Sequence, residues 1–138
     1  MTQQPDYIYV KENVELNEYR IHKYVYNLGI INVPKIYDYN PETKQMKIYK
    51  IRNMSVADWY GDDITKLPIE QIEKIRNIIK TLAKYNIEYP DITGYNFIEY
   101  QGKMWIIDFE HAICKHRIDN EFVVDFINGL NEWNPDFK

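Results

Sequence analysis

Cysteine is almost missing from this chain: Cys114 stands alone among 138 residues. An internal disulfide is excluded, and such cysteine usage suits a reducing compartment. Cys114 itself reads as a loop or core thiol. Glycine is also scarce, five in all, and none precedes Gly29. The segment before Gly29 therefore holds no glycine-rich loop of the kind that covers phosphates. No apolar run approaches a membrane span, and the start M-T-Q-Q-P-D carries no signal-peptide pattern. These features lead to the expectation of an intracellular, cytoplasmic protein without a membrane partner. No Cys/His cluster has zinc spacing, so His22 and the His111/His116 pair read as surface groups. Basic charge is not in excess either. A net charge of −4 and a pI near 5.4 provide no attraction to nucleic-acid backbones, and none is expected as a partner.

The chain does have enough apolar residues, 45%, for the core of one domain. Its thirteen tyrosines read mainly as strand and core residues with polar tips. Leu16 to Leu28 places Leu16, Tyr19, Val25 and Leu28 between charges, as an amphipathic helix does, and Gly29 is suited to end it. A short strand at Ile36 to Tyr39, a turn at Asn40-Pro41-Glu42-Thr43 and a strand at Gln45 to Ile51 follow. Lys44, Lys47 and Lys50 read as the solvated face of that strand. The clearest helix runs from Pro68 to Tyr85, with Ile69, Ile72, Ile75, Ile79 and Leu82 on one side and Pro68 in its first turn. A last helix is expected over Asp119 to Leu130, capped by Asp119 and facing inward with Phe122, Val123, Phe126, Ile127 and Leu130.

The most informative stretch is Pro90 to Glu110, P-D-I-T-G-Y-N-F-I-E-Y-Q-G-K-M-W-I-I-D-F-E. Asp91 lies five positions before Asn96 in a Gly-containing loop. Two apolar runs, Phe97-Ile98 and Met104 to Ile107, flank a turn at Gln101-Gly102 and deliver Asp108 directly before Phe109. This order resembles the catalytic half of a protein-kinase-like site, and phosphoryl transfer asks a protein for a carboxylate at the acceptor hydroxyl and for hard oxygen ligands that hold magnesium on the nucleotide phosphates. Asp91 suits the first task, and Asn96 and Asp108 suit the second.

Loop Asp, loop Asn, hairpin and D-F, preceded by helix, two strands, a hinge over Arg52 to Trp59 and a long helix, resemble a protein-kinase-like domain. The resemblance spans about residues 8 to 112 and is strongest to small atypical Ser/Thr kinases and to miniature kinase-like proteins of large DNA viruses. It implies an α+β fold: a reduced lobe, residues 1–53, with a small antiparallel sheet and one helix, and a reduced, mainly helical lobe, 54–138, carrying the hairpin. It further implies ATP and Mg²⁺ as cofactors and a protein substrate or regulatory protein as partner. Tyr7 to Lys11 becomes a strand remnant, with Lys11 pairing the phosphates and Glu18 holding Lys11. Adenine is expected near Ile51 to Met54. A solvent-exposed Lys11 and Glu18 is the alternative reading of that pair. The chain departs from the pattern at Tyr89, where histidine is usual, and at Thr93, where lysine is usual. At Glu110 it gives a D-F-E resembling that of aminoglycoside and choline kinase relatives. Two other functions therefore stay open: a kinase-shaped binding module that regulates a partner, and a small-molecule kinase.

Overall fold

A computed structural model describes residues Pro5 to Phe137. Residues 1–4 and 138, which belong to the expected lobes, lie outside the described residues. The fold is a small α+β arrangement of short antiparallel sheets and four α-helices among the described residues. Strand β1 (Ile8–Lys11), helix α1 (Leu16–Leu28), β2 (Ile36–Asn40) and β3 (Gln45–Tyr49) come first. Strand β3 is central, antiparallel to both neighbours, with Lys11 opposite Met46 and Ile8 opposite Tyr49. Met46 and Ile48 point inward, while Gln45, Lys47 and Tyr49 stay partly exposed, the alternation of a half-buried strand.

Helix α1 has the expected bounds but a different inward face. Glu18, Ile21, His22 and Val25 are buried, whereas Leu16 is 43% exposed. A buried carboxylate and imidazole on this stripe are tolerated because both find partners, described below. His22 is thus a core group rather than a surface group.

The segment expected as a hinge contains a helix, α2 (Val56–Tyr60), started by Ser55, whose hydroxyl accepts from the Asp58 amide. Helix α3 (Ile69–Lys84) buries Ile72, Ile75, Ile79 and Leu82 in the main core. Pro68 stands one position before the helix rather than in it, and Ile69, at the exposed first turn, is 61% exposed. Strand β4 (Ile87–Glu88) leads into the loop of Asp91, which ends in one 3-10 turn, Gly94–Asn96. Strands β5 (Phe97–Tyr100) and β6 (Lys103–Ile106) form the hairpin. Gln101 and Gly102, both at positive φ (53° and 74°), give it a two-residue turn of the type that matches strand twist.

Strand β7 (Ile113–Cys114) pairs with β4, leaving Cys114 exposed. Helix α4 (Glu121–Ile127) is shorter than expected, and Asn120, not Asp119, caps it by accepting from the Val123 amide at 3.1 Å. Asp119 is instead paired with Lys115. Val123 and Phe126 are buried, Phe122 and Ile127 pack at the core margin, and Leu130 falls beyond the helix.

The loop between α1 and β2 is joined to the hairpin by a parallel bridge between Asn32 and Trp105, with the Ile106 amide donating to the Asn32 carbonyl at 3.1 Å. At the other side, α2 packs against the 3-10 turn so closely that a Cβ on Gly94 would lie 2.9 Å from the Ala57 Cβ and 3.1 Å from the Ala57 nitrogen. Only glycine fits there without movement. Gly94→Ala should therefore cost about 1–3 kcal/mol of stability, read from chemical denaturation midpoints at unchanged m-value.

Candidate active site

Three segments distant in sequence meet at one cleft. Lys11, at the end of β1, ion-pairs with Glu18 on α1, and its ammonium donates to Asp108 Oδ1 at 3.1 Å. Glu18 lies one helical turn before Ile21 and His22 on the buried stripe of α1. Burial acts to lower the Lys11 pKa, but the carboxylates of Asp108 and Glu18 outweigh it and raise it, so the ammonium stays charged. Glu18 is 3% exposed; burial raises its carboxyl, and Lys11 opposes that rise.

Asp108 follows β6 and is fixed from several sides. Its Oδ1 also accepts from the Glu110 amide at 2.9 Å, and the buried Tyr89 hydroxyl donates to its carbonyl. One residue earlier, the Ile107 amide donates to the Asn96 carbonyl at 3.1 Å, joining the two loops. Asn96 is buried in turn, and its Nδ2 donates to the Asp91 carbonyl at 2.8 Å, which leaves its amide oxygen as a hard donor. Asp91 is partly buried. Burial raises its carboxyl above the ordinary range; the Asn96 side-chain amide opposes this and the nearby Asp108 charge adds to it. Asp91, Asn96, Asp108, Lys11 and Glu18 are thus brought together, and Lys11 and Glu18 are not a solvent-exposed pair.

An apolar cavity of about 370 Å³ adjoins Lys11 and Asp108, lined by Tyr9, Ile48, Ile51, Ile98 and Ile107. Ile51 is where adenine was expected. Met54 is not there: it lines a second hollow with Trp59 and Tyr100 and is 47% exposed. The chain turns away after Ile51 because Asn53 reaches the Glu99 carbonyl, carrying Met54 past the hairpin. Tyr9, two before Lys11 on β1, shares its strand face, whereas Ile107 lies just past β6 and carried no such signal. Ile98 had none either.

Hard oxygens from Asp108 and Asn96 suit magnesium, which needs few protein ligands when phosphates and water complete its shell. Among the described residues, no three His, Cys, Asp or Glu side chains gather into a site made by protein alone.

Behind the cleft, aromatic rings form a column. Tyr89 packs edge-on against Phe109 (5.8 Å, 81°), and Phe109 against His22 (5.3 Å). Sequence reading missed His22 because histidine has no intrinsic burial signal. Its Nε2 donates to the Pro34 carbonyl at 2.7 Å, the only direction a carbonyl permits, while Nδ1 is buried without a partner. Burial, the leading cause, lowers the His22 pKa to about 4.

Two outcomes follow from these groups. Lys11→Met leaves Glu18 buried opposite no cation and should cost roughly 2–3 kcal/mol, and adding Glu18→Gln should recover most of that in a double-mutant cycle. For His22, the unfolded chain takes up a proton near pH 6.5 while the folded imidazole stays neutral down to about 4. Stability from His22 is thus complete above pH 6.5 and falls by about 3 kcal/mol as pH drops to 4. Urea midpoints between pH 7 and pH 4.5 should show this slope, and His22→Leu should flatten it.

No protein-family profile matches this chain, and no curated protein matches it in sequence. Among solved structures it is similar to a kinase, PK-1, of Cydia pomonella Granulovirus, with a TM-score of 0.52 and 15% identity. The match covers 78% of this chain and 43% of that one, so the chain spans less than half the length of the granulovirus protein. At that identity the likeness concerns the fold, and the fold is kinase-like in a reduced α+β form.

Proposed function

We propose that this chain is a minimal phosphotransferase using ATP and Mg²⁺, of Ser/Thr protein-kinase type. The observation that carries the reading is the partly buried ammonium of Lys11, held between Glu18 and Asp108 at the edge of an apolar cavity. A fixed cation beside a carboxylate, next to a slot with the apolar lining that a purine ring requires, is what nucleotide phosphates and base need together.

In this reading Lys11 neutralises phosphate charge, and Glu18 keeps it from collapsing fully onto Asp108. Asp108 and Asn96 offer oxygens to magnesium, which supplies charge neutralisation on the phosphates when bound. Asp91 accepts the proton of the acceptor hydroxyl and orients it. A carboxyl raised by burial is a stronger base than a solvated one, which favours this role. Ile51, Ile48 and Tyr9 hold the base. Thr93 brings no charge to the moving phosphoryl group, so turnover should be slow. The partner is then a protein bearing the acceptor hydroxyl.

A second reading has its own support. Tyr89 and Thr93 stand where the resemblance expects a histidine and a lysine. That suits a kinase-shaped module that regulates another protein. A small-molecule kinase, suggested by Asp108-Phe109-Glu110, is the third reading.

Calorimetry with ATP separates the first two. The wild type should bind ATP in a magnesium-dependent manner, and Asp108→Ala should lose that dependence. Asp91→Asn should keep binding and lower turnover by about 100-fold or more. A protein that binds no ATP at millimolar concentration, yet captures a partner equally well as wild type and as Asp91→Asn, would be the module.

A further inference from the structure

Past α4 the chain returns across the back of the Asp91 loop, and this stretch has no place in the reading above. Its path is held first by Arg76 of α3. The guanidinium, 3% exposed, donates to the carbonyls of Phe126 and Leu130 (the latter at 3.1 Å) and to Asn131 Oδ1, and stacks 4.8 Å from the Phe126 ring centre. Trp133 is then buried in the main core. The next residue, Asn134, is 2% exposed and meets the loop twice. Its backbone amide donates to the Ile92 carbonyl at 2.9 Å, and its Nδ2 donates to the Pro90 carbonyl at 2.7 Å. Those two carbonyls flank Asp91. The Asn134 Oδ1 is itself fixed, accepting from the Asp136 amide at 3.1 Å. Beyond it, the ring of Phe137 packs 5.0 Å from His111, three residues after Asp108.

We propose that Asn134 is a positioning residue for Asp91, clamping the carbonyls of the residues on either side of it, Pro90 and Ile92. This rests on the reading of Asp91 as the acceptor's base. Physically, a loop carboxylate is only as well aimed as its backbone. The loop's own bonds, Ile92 amide to Pro90 carbonyl (2.8 Å) and Thr93 amide to Asp91 carbonyl (3.1 Å), are local and restrain its shape but not its placement. Placement on the front side comes from Asn96. On the back side it comes from Asn134, which is tied through Trp133 and Arg76 to the core helix α3. A buried amide making this many bonds also has no cheaper conformation to relax into, because each lost bond would leave an unpaired buried group.

The test uses the full chain with Asn134→Ala and the near-isosteric Asn134→Asp, which cannot donate to the Pro90 carbonyl but keeps the bond from the Asp136 amide. Both are measured well below their unfolding midpoints, and the Asp variant decides the matter if the Ala variant does not fold. Hydrogen exchange should speed at the amides of residues 92–96 by about tenfold or more, with α3 unchanged. In the phosphotransfer assay kcat should fall about 10- to 100-fold with the ATP affinity within twofold, as expected for a misaimed group. Unchanged exchange at residues 92–96 overturns the proposal, and so does a rise in ATP Kd that matches the fall in kcat. If wild type transfers no phosphoryl group, the base assignment of Asp91 fails, and exchange alone decides whether Asn134 clamps this loop.

Discussion

The arrangement depends first on one ammonium group between two carboxylates. Glu18 sits on the buried stripe of α1, where an isolated carboxylate would cost several kcal/mol. Lys11 offsets that cost, and it can do so only if β1 ends beside α1. Its contact with Asp108 then docks the loop after β6 onto the same point. The rotation of α1, with Leu16 turned outward and His22 inward, is a consequence of satisfying this charge rather than of burying the most apolar face. Two carboxylates around one ammonium also leave the cleft with an excess of negative charge, an environment that favours a further cation.

A second group of polar fasteners works behind the site. Arg76 gathers the end of α4, and Glu88 accepts from the amides of Asp119 and Asn120 at its start, both at 3.0 Å. Short elements of this kind bury too little apolar surface to fix their own orientation. Charged side chains reaching backbone groups supply it, at the price of strict geometry. The parallel bridge at Asn32 and the Gly94–Ala57 contact do the same for the loop between α1 and β2 and for α2.

Where local chemistry determined structure, the sequence was readable. Gly29 ends α1 where expected, at positive φ of 71°. The isoleucine spacing of α3 and the Gln101-Gly102 turn were equally plain, as was the order of Asp91, Asn96 and Asp108. What could not be read depended on partners far along the chain. Glu18 and His22 look like solvent residues until Lys11, Pro34 and Phe109 are in place. Asp119 looks like a cap until Lys115 claims it and Asn120 takes over. Met54 follows Ile51 closely in sequence but is carried elsewhere by Asn53. Asn134 lies in a stretch without periodicity, so nothing in the sequence pointed to the Asp91 loop.

The Lys11–Asp108 contact joins residues 97 positions apart, and Asn134 reaches back 44 positions to Pro90. During synthesis, then, Lys11 leaves the ribosome long before its carboxylate partner on the hairpin loop exists, and Glu18 waits with it. The Asp91 loop likewise emerges before the residue that backs it. Helix α3 and the hairpin can form from local contacts, but the cleft closes only after Asp108 has cleared the exit tunnel, and the Asp91 loop is backed only once the chain near residue 134 has followed. A nascent product that ends between residues 108 and 134 thus carries the recognisable motif without the residue that backs its Asp91 loop.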